Sequence, residues 1–82
     1  SYADLRIANL SYTNLSGAIL SGAVLVGAHI NKAIISRSKI YGINIWDLVG
    51  EFEEQKDLVI TREGEPVVTV DNIEIAQLIS FE

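Results

Sequence analysis

Ala3 to Asp47, written in fives, reads ADLRI ANLSY TNLSG AILSG AVLVG AHINK AIISR SKIYG INIWD. The third place of each block is Leu5, Leu10, Leu15, Leu20, Leu25, Ile30, Ile35, Ile40 and Ile45, without exception. The first place is Ala3, Ala8, Thr13, Ala18, Ala23, Ala28, Ala33 and Ser38, small throughout until Ile43. A helix repeats its apolar face about every 3.6 residues and a strand every second residue, so neither yields a strict period of five. A short strict repeat points to a solenoid. Each unit is too small to bury a core alone, and stacking supplies one.

The pattern A-[D/N]-L-x-x resembles the pentapeptide-repeat family over nine blocks, 45 of the 82 residues. The resemblance implies an all-β solenoid, a right-handed quadrilateral β-helix in which each block forms one side of a square. Four blocks make a coil, so nine give just over two coils, a stack about 10 Å tall at the usual strand spacing. The Leu and Ile of the third places would fill the square as its structural core. The first places would also point inward, where only a small side chain leaves room. The remaining places would face solvent, which suits Asp4, Asn9, Ser11, Asn14, Ser16, Ser21, Asn31, Lys32, Ser36, Arg37 and Lys39.

Blocks four apart stack on one another. Leu5, Leu25 and Ile45 then form one interior ladder, and outside them run Asp4 with Arg6, Val24 with Val26, and Asn44 with Trp46. Val24, Val26 and Trp46 make a vertical apolar run, a candidate contact surface. Either a partner or the chain's own tail would cover it. Gly17, Gly22, Gly27 and Gly42 hold fifth places, at the corners, where an unusual dihedral costs glycine nothing. Ile43 breaks the small-residue rule and predicts the end of the solenoid, giving a repeat unit over 1–47 and a capping segment over 48–82. Ser1-Tyr2 fits the fourth and fifth places of a block, which predicts further repeats upstream.

The composition changes after Asp47. Residues 1–47 carry four basic and two acidic side chains, a balance of +2, whereas 48–82 carry nine acids against Lys56 and Arg62, a balance of −7. Residues 57–61 and 67–70 predict two strands of a β-hairpin around the Arg62–Pro66 turn. Asp71, three residues before Glu74, predicts a capping-box start to a helix over 72–79. Its buried face would be Ile75, Leu78 and Ile79, with Ile73 or Ala76 at the margin. Hairpin and helix should fold over the interior below Ile40 and Ile45. The tail is also similar to the segment closing the repeat in bacterial pentapeptide-repeat proteins that carry a downstream Toll/interleukin-receptor-like or nucleotide-binding-like domain. That similarity implies a fragment of a larger bacterial protein.

The chain is long enough for one small domain with a modest core. It has no cysteine, hence no disulfide and no thiolate chemistry. No signal-peptide start is present, so a cytoplasmic location is expected. From Ile7 to Asn31 there is no charge with His29 neutral, but Asn9, Ser11, Thr13, Asn14 and Ser16 recur through the stretch and argue against a membrane span. His29 is the lone histidine, at an outward second place. The serines have no base in register. Glu51, Glu53, Glu54 and Asp57 read as a solvated acidic linker in place of a metal site. No catalytic, cofactor-binding or metal-ligating residue is assigned, and no cofactor is expected.

A non-catalytic structural or protein-interaction module is therefore the favoured reading, with a protein partner, the chain's own downstream domain or a second copy as occupant. The alternative is a gyrase-binding DNA mimic, as some members of the family are. A mimic must match about one charge per 1.7 Å along a rod. Here the repeat is short and slightly basic, so no nucleic-acid role is expected.

Overall fold

Backbone pairing at a spacing of twenty residues organises the chain in the computed structural model, which describes residues 3–80, with only the backbone of Ile79 and Ser80. Asp4 bridges Val24 and Val24 bridges Asn44, all parallel; Asn9, His29 and Val49 repeat this, as do Asn14, Ile34 and Glu54, and then Ile19, Lys39 and Val59. These are four columns, each three layers deep. They are isolated bridges, and the named strands are only the two-residue pair described below. Third-place N–H groups donate downward, as Leu5 does to the Val24 carbonyl (2.8 Å) and Leu25 to that of Asn44 (2.8 Å). Second-place N–H groups donate upward, as Val24 does to Ala3 (3.0 Å) and His29 to Ala8 (2.8 Å).

Between columns the chain turns within two residues. The N–H of each first place returns to the third-place carbonyl before it, Ala8 to Leu5 at 3.1 Å and Ala28 to Leu25 at 3.2 Å. The residue ahead of that N–H has a positive φ whether or not it is glycine: 60° at Ile7, 63° at Tyr12, 73° at Gly17 and 66° at Lys32. This is the pattern of a type II turn. The corner dictates the dihedral, and the non-glycine residues there carry its strain.

Leu20, Leu25, Ile30, Ile35, Ile40 and Ile45 are buried, together with the first-place Ala23, Ala28 and Ala33. Leu5, Leu10 and Leu15 are only partly buried, packed against this core from the first layer. Ser36 departs from its expected outward position. It is fully buried, and its hydroxyl accepts the Lys56 N–H at 3.0 Å from the layer below. Ser1 and Tyr2 lie outside the described residues.

The stack does not stop at Asp47. Ile43 is buried inside a regular corner, its N–H on the Ile40 carbonyl at 3.0 Å, so the larger side chain is accommodated. Val49, Glu54 and Val59 then bridge the layer above, and residues 48–59 complete a third layer with no pentapeptide pattern. Glu51, Glu53, Glu54 and Asp57 thus lie along this paired layer and not in a linker. The physical reason is that the pairing uses main-chain groups: Lys32 N–H on the Glu51 carbonyl (2.7 Å) and Ile40 N–H on that of Val59 (2.8 Å) need no particular side chain. Gly50 sits where the repeat would place Leu. Its φ is 94°, and a Cβ there would stand 2.6 Å from the Asn31 Cβ and 2.8 Å from its Cα.

The capping elements begin inside that layer. Strands β1 (Leu58–Val59) and β2 (Thr69–Val70) pair antiparallel, Leu58 opposite Val70 and Val59 opposite Thr69. They are shorter than the sequence suggests, and Val59 also bridges Lys39, so β1 is the last rung of a column with β2 paired beside it. Their connection is tied to the flank by a Lys39–Glu63 ion pair at 2.9 Å and by Arg62, whose Nε–H donates to the Tyr41 hydroxyl at 3.0 Å.

Helix α1 (Ile73–Ser80) closes the end. Its N-cap is Asn72, one residue after the expected Asp71. The Asn72 Oδ1 accepts from Glu74 (2.9 Å) and Ile75 (3.1 Å), while the Asp71 carboxylate is engaged by the Asp57 N–H at 2.8 Å. This register buries Ile73 and Ala76 in the core and leaves Ile75 (51%) and Leu78 (70%) exposed, reversing the expected face. The Ile79 side chain lies outside the described residues. Among the described residues no helix is long and apolar enough to cross a membrane.

Candidate functional site

The column of Asp4, Val24 and Asn44 carries the next outward places with it. The Ile7 N–H on the Val26 carbonyl (2.9 Å) and the Gly27 N–H on that of Trp46 (2.8 Å) set Arg6, Val26 and Trp46 one above another. Val24 and Val26 are half-buried and Trp46 is 55% exposed. The topmost pair is polar: Arg6 forks onto the Asp4 carboxylate at 2.9 and 2.8 Å. Those hydrogen bonds hold the Asp4 carboxyl below the usual carboxylate range. The face thus runs from an ion pair at the top to an indole at the bottom.

Trp46 also turns the corner onto a second feature. A cavity of about 520 Å³ opens between the third layer and α1. Ile30, Ile45, Leu48, Phe52 and Ile73 contribute apolar lining, and Asp47, Glu51 and Glu74 contribute carboxylates. Gln55 and Gln77 hold the helix across it. The Gln55 Oε1 accepts the Ile73 N–H at 3.0 Å, and the Gln77 Oε1 accepts the Ile45 N–H. Nothing in the repeat pattern marks this cavity. Gly50, Gln55 and Gln77 of its lining lie outside the repeat pattern and are brought to the repeat residues only by the third layer and the helix.

The remaining polar groups are distributed along the sides. His29 is exposed in the column between Asn9 and Val49. The carboxylates of the third layer are exposed, Glu53 beside Lys32 at 3.5 Å. Among the described residues no three of His, Asp and Glu converge in a group that could hold a metal ion.

The family described as Pentapeptide repeats matches residues 1–47, in eight copies. Neither the curated proteins nor the solved structures contain a match to the chain. The family match spans the residues with the five-residue period and stops where the backbone stacking carries on without it. With more than half of its length matched, the chain belongs to the pentapeptide-repeat family.

Proposed function

We propose that the chain is a non-catalytic docking module, a right-handed four-sided β-helix that presents its flank to a protein partner or a further domain. The observation that carries this reading is the vertical Val24–Val26–Trp46 run, which the backbone stacking holds in register. A rigid ladder holds such side chains at fixed heights, so little ordering entropy is lost when a partner docks. The acidic charge lies in residues 48–82 and not along the repeat, which argues against a duplex mimic.

The test is Val26→Lys combined with Trp46→Ser, followed by sedimentation and thermal melting. Loss of an oligomer with an unchanged melt supports a docking face, for which a second copy would be the occupant. A lower melting temperature in a monomer assigns the run to the chain's own cap. No change in either measurement removes this face from the proposal.

A further inference from the structure

The cavity under α1 has a chemistry that the family match does not assign. Its lining includes Trp46 and Phe52, the aliphatic Ile30, Ile45, Leu48 and Ile73, and the acidic Asp47, Glu51 and Glu74, with no lysine, arginine or histidine. The first amides of the helix are already satisfied, Ile73 by Gln55 and Glu74 and Ile75 by Asn72, so the helix end offers an anion nothing. We propose that this cavity receives an arginine side chain from a basic segment of a partner protein. The aliphatic stem would lie along the apolar side chains and the planar cation against the indole, with a carboxylate of Asp47, Glu51 or Glu74 accepting from its edge. Arginine suits such a site better than lysine, since a flat, weakly hydrated guanidinium stacks on aromatic faces and forks onto carboxylates. The −7 balance of residues 48–82 would draw a basic segment towards this end of the molecule.

This inference deepens the docking reading by naming the partner's chemistry, but it uses a different surface from Val24 and Val26. Trp46 is the only tryptophan and lines the cavity, so its fluorescence reports occupancy. The full chain is titrated with the blocked tripeptide acetyl-Leu-Arg-Leu-amide and, as controls, with its Gln and Glu counterparts. A saturable change with the arginine peptide alone is expected, weakened by salt. In the Glu51→Gln/Glu74→Gln double variant its affinity should fall at least tenfold. The melting temperature should hold, because neither carboxylate makes an ion pair or hydrogen bond among the described residues. Absence of any change at millimolar peptide, an equal response to the Gln peptide, or full binding by the double variant would overturn the proposal. Failure here would leave the Val24–Val26 face standing, because Glu51 and Glu74 lie outside it and neither valine lines the cavity.

Discussion

Gln77 takes the N–H of Ile45 as a fourth layer would. Leu5 donates to the Val24 carbonyl, Leu25 to that of Asn44, and Ile45, with no layer below, donates to the Gln77 side-chain oxygen. The same replacement occurs twice more. Arg37 uses the Lys56 carbonyl (2.8 Å), and Asp57 beneath it uses the Asp71 carboxylate (2.8 Å). Ile40 uses the Val59 carbonyl (2.8 Å), and Ile60 uses that of Val68 (3.0 Å). The cap therefore answers three of the third layer's hydrogen bonds, which hinders this edge from pairing with other chains.

Replacing Gln77 by Leu should leave the Ile45 N–H without an acceptor while keeping an apolar side chain over the cavity. An unsatisfied buried donor costs about 1–3 kcal/mol, and the partial burial here favours the lower half of that range. Gln77→Glu keeps an oxygen in place and should retain most of the stability. Urea unfolding of the two variants checks this, with equal losses counting against the hydrogen bond.

Gly50→Ala should be severe. The added Cβ meets the main chain of Asn31, whose N lies 2.9 Å away, and a positive φ penalises any L side chain. A loss of at least about 2 kcal/mol is expected. Gly17→Ala is the control, because it shares the positive φ but meets nothing within 4 Å. Similar losses at both sites would mean that the dihedral alone matters.

Two buried serines should respond in opposite directions. Ser36 holds the Lys56 N–H, so Ser36→Ala should cost about 1 kcal/mol. The Ser38 hydroxyl is buried with no partner among the described residues, at a first place where six of the other eight blocks carry Ala. Ser38→Ala should then stabilise by about 1 kcal/mol. Chemical denaturation measures both, and a destabilised Ser38→Ala would refute the second.

The pH dependence of the hairpin tie follows from Glu63. Its hydrogen bond with Lys39 lowers the folded-state pKa of the carboxyl from the ordinary 4.5. A depressed folded pKa contributes stability that is present above the unfolded value and lost as pH falls through the folded one. Thermal melts from pH 6 downward should therefore show the chain losing more stability than a Lys39→Met variant below about pH 4.5, the usual carboxylate range. Parallel curves would remove the pair from the acid response. High salt should shrink the difference, since both side chains are exposed.

The columns were legible because side chains wrote them. Leu25 and Ile45 repeat in register, and the corner glycines mark the turns. The third layer was illegible because main-chain pairing carries it, and Gly50, Gln55 and Leu58 break the pattern without breaking the coil. Asp71 and Asn72 are adjacent good caps, and the choice between them was made by Asp57, a residue fourteen positions away. That one-residue difference also sets which face of α1 is buried. The Val24–Val26–Trp46 run could be read from stacking alone, whereas the cavity beside it depends on where the helix lands.

Every column bridge joins residues twenty apart, so each rung closes a loop of one length at one entropic cost. Within the described stack the second layer alone has a coil above and below it. Opening should then start at the first layer, where Leu5, Leu10 and Leu15 are only partly covered, and reach the middle last. Native-state hydrogen exchange would register this as a gradient, with the Leu25, Ile30 and Ile35 amides slower than those of Leu5, Leu10 and Leu15. An identical defect would cost less in the first layer than in the second, so a residue's height in the stack weights every substitution made along it.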